Sequence, residues 1–243
     1  MSWEDLKGPV VVTGTDTGVG KTVTAAAIAT AATSSGLRVA VVKPAQTGTA
    51  YDEPDDISEV VRLAAPATAI CLAEYPDPLA PLVAARLSHT PPLELYDVVD
   101  AVRAQAKQHD LVLIEGAGGL LVPMGVRPSG EPWHVADLAL LLDAHVVVVT
   151  RAGLGTLNHT ALTLEALERR SLPACVVIGA WPTHPGGVHW SNLAELRPHL
   201  AGAVPEGAGQ LDGPIFQRSA PAWLTPQLYG VLDDWRIWAE EAY

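Results

Sequence analysis

The chain has 243 residues, 49% of them apolar, and a formal net charge of −12. That is enough apolar chain for a single domain over residues 1–243 with a sizeable core. The acidic balance, with no basic cluster larger than Arg169-Arg170, argues against a nucleic-acid partner.

No apolar run is long enough to cross a bilayer, and no leader-like pattern opens the chain. Cys71 and Cys175 lie far apart, which suits reduced thiols and a cytoplasmic location. In chain order, residues 1–8 read as a frayed polar lead-in. Apolar, β-rich runs predict strands at about 9–13, 38–43, 110–114, 145–150, 174–179 and 202–204. Helices are predicted at about 21–35, 56–64, 80–87, 94–107, 134–142, 156–169, 190–199 and 226–240. Residues 50–55 and 123–132, with Pro, Gly and charge, read as loops. Strands that are apolar throughout, alternating with helices, predict a doubly wound α/β fold: a mostly parallel sheet with helices on both faces. Ligands of such sheets sit beyond the carboxyl ends of the strands, so the residues after each strand should carry the function.

After the first strand comes Gly14-Thr15-Asp16-Thr17-Gly18-Val19-Gly20-Lys21-Thr22, which then opens an Ala-rich helix. Strand, glycine-rich turn, Lys-Thr and helix make the phosphate loop of nucleotide triphosphatases. Backbone N–H groups and the helix N-terminus converge on phosphate oxygens; Lys21 reaches the outer phosphates and the Thr22 hydroxyl suits Mg²⁺. The loop departs from the usual G-x-x-x-x-G-K-[ST], because Thr15 stands where the first glycine belongs and Gly14 lies one residue earlier.

Glu115 ends the apolar run 111–114 and leads into Gly116-Ala117-Gly118-Gly119. It would join Thr22 as a hard oxygen ligand for Mg²⁺, or else cap the glycine turn. Asp55 and Asp56 open a predicted helix, where either could be a simple N-cap. Lys43, before Pro44-Ala45-Gln46-Thr47-Gly48, reads as a second cation beside Lys21, or as a surface lysine. Backbone N–H groups of Gly155 and Thr156, with the Asn158 amide, could hold a carboxylate at a helix start, or form only an ordinary cap. Pro81 sits near the first position of another helix, after Pro78-Leu79-Ala80. His184 and His189 lack partners at metal-ligand spacing, so zinc is not expected. Leu224, Leu228, Val231, Leu232, Trp235 and Trp238 have helical spacing and suit core packing or subunit contact.

Taken together, Gly14-Thr15-Asp16-Thr17-x-Val19-Gly20-Lys21-Thr22, Lys43-Pro44-x-x-Thr47-Gly48, Glu115 to Gly119 and Leu154-Gly155-x-x-Asn158-His159 resemble the dethiobiotin synthetases of biotin biosynthesis. The likeness runs in order from about residue 9 to 205, and that family's phosphate loop carries the same extra residue. The resemblance implies a homodimeric, ATP- and Mg²⁺-dependent ligase that joins CO₂ (from bicarbonate) to 7,8-diaminononanoate and closes the ureido ring. It implies Mg²⁺ on Thr22, Asp56 and Glu115, and a phosphoryl group met by Lys21 and Lys43. Nucleotide contacts would fall on Gly18, Val19, Gly20, Lys21, Thr22 and Val23, and on Glu115, Gly116, Ala117 and Gly118. Thr17 and Thr47 would face the diamine or its carbamate. Leu154, Gly155, Thr156 and Asn158 would reach the substrate carboxylate in the neighbouring subunit.

This sequence departs from the family in one place that bears on function. Many members carry an adenine-reading Asn after the late strand, where this chain has Gly179-Ala180-Trp181-Pro182. Weaker base discrimination is therefore expected, with backbone groups of Gly179, Ala180, Pro205, Glu206 and Gly207 making the contact; Gly18, where some members have Glu, is a milder departure. The rival readings are a partition or cell-division switch ATPase, which would carry a second Lys where Thr15 stands, and a non-catalytic nucleotide-binding regulator. A GTPase would need an N-K-x-D guanine reader, and no lysine follows Lys107.

Overall fold

The computed structural model describes residues 6–51 and 55–233. The first strand, β1 (Gly8–Gly14), leads through the phosphate loop into helix α1 (Lys21–Ser34). Then follow β2 (Val39–Lys43), the short β3 (Gln46–Thr47), α2 (Asp56–Ala64), β4 (Thr68–Cys71), the short β5 (Glu74–Tyr75), α3 (Pro81–Leu87) and α4 (Leu95–Ala106). The second half runs β6 (Leu111–Gly119), β7 (Pro123–Val126), β8 (Pro132–His134), α5 (Val135–Leu142), β9 (His145–Thr150), α6 (Thr156–Glu168), β10 (Ala174–Trp181), α7 (Gly187–Leu196), β11 (Leu200–Pro205) and α8 (Gly213–Ser219).

Seven strands form one sheet in the order β11-β10-β9-β1-β6-β2-β4, every neighbouring pair parallel. The valine-rich runs explain it, because each residue of β2 and β9 is buried and successive side chains feed opposite faces. Val11, Val112, Ile114, Val146 and Val148 pack on the side of α4, α5 and α7. Val10, Val12, Leu113, Val147 and Val149 pack on the side of α1, α2 and α8. Helix α1 is Ala-rich for a packing reason: it buries Ala25 to Ala29, Ala31 and Ala32 against the sheet, where larger side chains would push it away.

Five expectations need correction. The lead-in is not wholly frayed, since Leu6 is buried in the core and β1 already begins at Gly8; residues 1–5 lie outside the described residues. The predicted loop 123–132 holds a strand, β7, which pairs antiparallel with β8. Strand β6 runs on through Gly119, so the Glu115–Gly119 motif belongs to the strand, with Gly119 in register with Gly14. The helix expected over 190–199 begins at Gly187 and ends at Leu196, followed by a 3-10 turn over Arg197–His199 in which Pro198 has no N–H to continue an α-helix. The C-terminal helix does not start at 226: Pro226–Leu228 is a single 3-10 turn, ended by Tyr229 at φ 64°, and Leu224 and Leu228 are buried as core anchors instead. The remainder of that predicted helix, residues 234–240, lies outside the described residues. No helix among the described residues is long and apolar enough to cross a membrane.

Candidate active site

The carboxyl ends of β1, β2 and β6 surround a cavity of about 760 Å³. Its lining includes Thr17, Gly18, Gly20, Lys21, Thr22 and Val23 of the phosphate loop and the start of α1, Lys43 at the end of β2, Thr47 of β3, Asp56 of α2, and Glu115, Ala117 and Gly118 of β6. These side chains come from four separate segments and meet because the strand order places β6 between β1 and β2.

The phosphate loop is held by backbone contact. Gly20 adopts φ 95°, and a Cβ there would lie 2.5 Å from the Gly179 carbonyl oxygen. A Cβ on Gly179 would lie 2.0 Å from the Val19 carbonyl oxygen. The two glycines let the loop rest directly on the end of β10. Gly179 is thus a packing partner of the loop, a role distinct from the base contact expected of it. The Lys21 ammonium folds back and donates to the Asp16 carbonyl at 3.0 Å. Burial, and then the charge of Lys43, lower the pKa of Lys21.

An acidic cluster faces that loop. The Thr22 hydroxyl lies 2.9 Å from Asp56 Oδ1 and 2.9 Å from Glu115 Oε1. Lys43 Nζ lies 2.5 Å from Asp56 Oδ2, 2.8 Å from Glu115 Oε1 and 3.2 Å from the Gly116 carbonyl. Lys43 is 3% exposed, which removes the surface-lysine alternative, and Glu115, 1% exposed, accepts from Thr22 and Lys43 and from no backbone N–H of the glycine turn. Burial would lower the Lys43 pKa, yet Glu115 and Asp56 override it and hold it above the usual lysine range. Burial raises Glu115, only partly offset by Lys43. Asp56 is raised by burial but pulled further down by Lys43 and by its hydrogen bonds, so it sits below the usual carboxylate range. The choice between the two aspartates is also resolved by geometry: Asp55 caps α2, accepting from the Ser58 N–H at 2.8 Å, while Asp56 turns into the cavity.

Whether these residues fit Mg²⁺ can be tested on the cluster. One hydroxyl carries one proton, yet Thr22 touches two carboxylates, and the second oxygen of Glu115 is buried with no hydrogen-bond partner. Hard oxygens in surplus over donors are what a divalent cation of this class takes up. The residues fit.

The structure divides the other expected residues. Gly116 accepts from Lys43 through its carbonyl. Ala180 and Glu206 line a second cavity of about 220 Å³ beside Gly18 and Val19, together with Arg151 and His189. Pro205 ends β11, and Gly207 follows it at φ 78°. Leu154, Gly155 and Asn158 line neither cavity; all three are exposed at the start of α6, Leu154 at 92%. The Thr156 N–H, expected to face a carboxylate, donates to the Gly153 carbonyl at 3.3 Å, and the residue is buried with its hydroxyl 2.6 Å from that of Thr150.

Three contributors were missed. Gln46 accepts from the Asp56 N–H at 3.2 Å and so helps set α2. Leu79, Ala80 and Pro81 form the far wall of the main cavity, for which the proline pair was the available signal. Arg151 donates to Asp16 Oδ2 and to the Thr17 carbonyl, each at 3.1 Å, across a separation in sequence that no motif spans.

A family model described as an AAA domain matches residues 9–208. The ATP-dependent dethiobiotin synthetase BioD of Streptomyces avermitilis is 50% identical over 229 residues, covering 92% of this chain and 94% of that protein. Its counterpart from Rhodococcus jostii is 51% identical over 221 residues, covering 88% of this chain and 94% of that protein. Among solved structures, the septum site-determining protein MinD of Pyrococcus horikoshii, complexed with Mg-ADP, aligns with a TM-score of 0.57 at 13% identity, over 91% of this chain and 94% of that one. At that identity the likeness speaks for the fold alone.

Proposed function

The chain belongs to the ATP-dependent dethiobiotin synthetase family, and we propose that it joins CO₂ to 7,8-diaminononanoate and closes the ureido ring at the expense of ATP. One amine of the diamine takes up CO₂ as a carbamate and releases a proton. A carbamate oxygen attacks the γ-phosphorus, ADP leaves, and a carbamic–phosphoric anhydride results. The second amine attacks the carbonyl carbon of that anhydride, phosphate departs, and the ring is closed.

The observation that carries this reading is the second buried lysine. Every phosphate loop has its own lysine; Lys43, brought to the cavity from β2, adds a fixed cation beside the path of a transferred phosphoryl group. Charge developing on phosphoryl oxygens is stabilised by donors already in place, which is the main contribution a protein makes to such a transfer. Lys21, now against the Asp16 carbonyl, would turn to the β- and γ-phosphates, with the N–H groups of Gly18 to Val23 and the Gly116–Gly118 backbone around the anion. Thr17 and Thr47 line the same cavity and would orient the diamine or carbamate. Thr22, Asp56 and Glu115 would hold Mg²⁺, which when bound neutralises phosphate charge.

Gly179, Ala180 and Pro205 to Gly207, at the ends of β10 and β11, would meet the base through backbone groups. Leu154, Gly155 and Asn158 are exposed and line neither cavity of their own subunit; they would serve a partner subunit of a homodimer, where the Asn158 amide would take the substrate carboxylate.

Phosphate release tests the proposal. Release from ATP should require the diamine and bicarbonate together; release at the same rate without the diamine would instead favour a switch ATPase.

A further inference from the structure

The phosphate loop is laced to the end of β9 one residue at a time. The Thr15 N–H donates to the Val149 carbonyl at 2.9 Å, and the Thr15 and Thr150 hydroxyls lie 3.3 Å apart. Arg151 then extends this lacing beyond the strand: its Nη2 donates to Asp16 Oδ2 and to the Thr17 carbonyl, each at 3.1 Å. Asp16 is held on its other atoms too, since Oδ1 accepts the Thr17 N–H at 2.7 Å and the carbonyl accepts Lys21 Nζ at 3.0 Å. The peptide on both sides of Thr17 is thereby fixed. The next residue, Gly18, has φ +68° and no atom within 4 Å of where a Cβ would stand, so packing does not hold this tip.

The Arg151 side chain is 59% exposed and that of Asp16 56%. An ion pair that open contributes little to global stability, so any effect of Arg151 is local. Two N–H groups on one nitrogen, aimed at two acceptors on adjacent residues, use the fixed fork of a guanidinium, a geometry a point charge matches only in part. Thr17 lines the main cavity, while Arg151 lies in the smaller one, beside Val19 and Glu206.

We propose that Arg151 is a positioning residue: it sets Thr17 against the diamine by holding the Thr17 carbonyl and the Asp16 carboxylate that caps the Thr17 N–H, without itself touching the reacting atoms. The inference rests on the synthetase reading above. The test compares wild type, Arg151→Ala, Arg151→Lys, Asp16→Asn and the Arg151→Ala/Asp16→Asn double variant in steady-state turnover, with ADP affinity by calorimetry and melting temperature as controls. Arg151→Ala should raise the KM for the diamine on the order of tenfold, roughly the worth of one lost charge-assisted hydrogen bond. ADP affinity should stay within about twofold, because Arg151 touches only Asp16 and the Thr17 carbonyl, while the loop from Val19 onward rests on Gly179 and opens α1. Arg151→Lys should restore part of the loss, and the double variant should be no worse than Arg151→Ala, because Asp16→Asn removes only the Oδ2 contact that Arg151→Ala has already removed. An unchanged diamine KM in Arg151→Ala, an equal loss of ADP affinity, or additive losses in the double variant would each overturn the role. Wild-type protein without diamine turnover would overturn the synthetase reading as well, and that shows before any variant is made.

Discussion

Replacing Lys43 by Met keeps the four-atom stem of the side chain and removes the ammonium, and the structure sets the consequence. The ammonium is the nearest positive charge to Glu115 and Asp56, at 2.8 and 2.5 Å. Without it, Glu115 would be a buried carboxylate with one oxygen shared with Thr22 and the other unpartnered. Removing one partner of a buried pair costs about 3–5 kcal/mol, and for a chain of this size about 3 kcal/mol corresponds to a fall of roughly 6–12 °C in melting temperature. The remaining charge should then depend on pH. Glu115 already has a raised pKa and loses the neighbour that lowers it; a folded-state pKa above the unfolded one means more protons bound in the folded state. Stability of the variant should therefore fall as pH rises from the ordinary carboxylate range through the raised value. Mg²⁺ would supply the missing charge, and a ligand at a hundred times its dissociation constant adds about 2.7 kcal/mol. Thermal melts from pH 5 to 8, with and without Mg²⁺, read all three effects. Turnover of the variant should fall on the order of a hundredfold, as for a lost oxyanion donor, while ADP still binds. A variant that melts like wild type at every pH and gains nothing from Mg²⁺ would refute the reasoning.

The two adjacent aspartates should separate cleanly. Asp55→Ala removes a helix cap and should cost about 1 kcal/mol of stability with turnover retained, whereas Asp56→Asn should abolish Mg²⁺-dependent turnover. Because the pKa of Asp56 is lowered in the fold, its contribution is present above the unfolded pKa and lost as pH falls through the folded one, so the stabilities of wild type and Asp56→Asn should converge in acid. Gly179→Ala would drive a Cβ into the Val19 carbonyl, which it would approach to 2.0 Å; nucleotide affinity should drop at least about tenfold, a loss of roughly 1.4 kcal/mol, measurable by ADP calorimetry. If, as proposed, backbone groups alone meet the base, ATP, CTP and GTP should bind comparably in competition assays; a preference for ATP of about a hundredfold, roughly 2.7 kcal/mol, would contradict this.

Much of this site could be read from local sequence because its parts are local. The phosphate loop, Lys43 and Glu115 each stand at or just beyond a run of buried β-branched residues, and the run dates the motif as surely as the motif confirms the run. Strand β4 was missed for the opposite reason: Thr68–Cys71 is a four-residue edge strand, half-buried throughout, whose pairing with β2 is a tertiary fact. The β7–β8 pair lies in a stretch rich in Pro and Gly that local propensity assigns to loop. Arg151 carries no motif, and only the juxtaposition of β1 and β9 brings it to Asp16. At the C-terminus, among the described residues, Leu224 and Leu228 pack in the core beside a single 3-10 turn and not on one face of a helix; Trp235 and Trp238 lie outside the described residues.

The central claim is that this chain makes a ring from a diamine and CO₂, and the product tests it most directly. Purified protein given 7,8-diaminononanoate, ¹³C-bicarbonate and Mg-ATP should yield dethiobiotin with the label at the ureido carbonyl, one phosphate released per ring closed. ATP hydrolysis without labelled product, or no turnover with all substrates present, would contradict it.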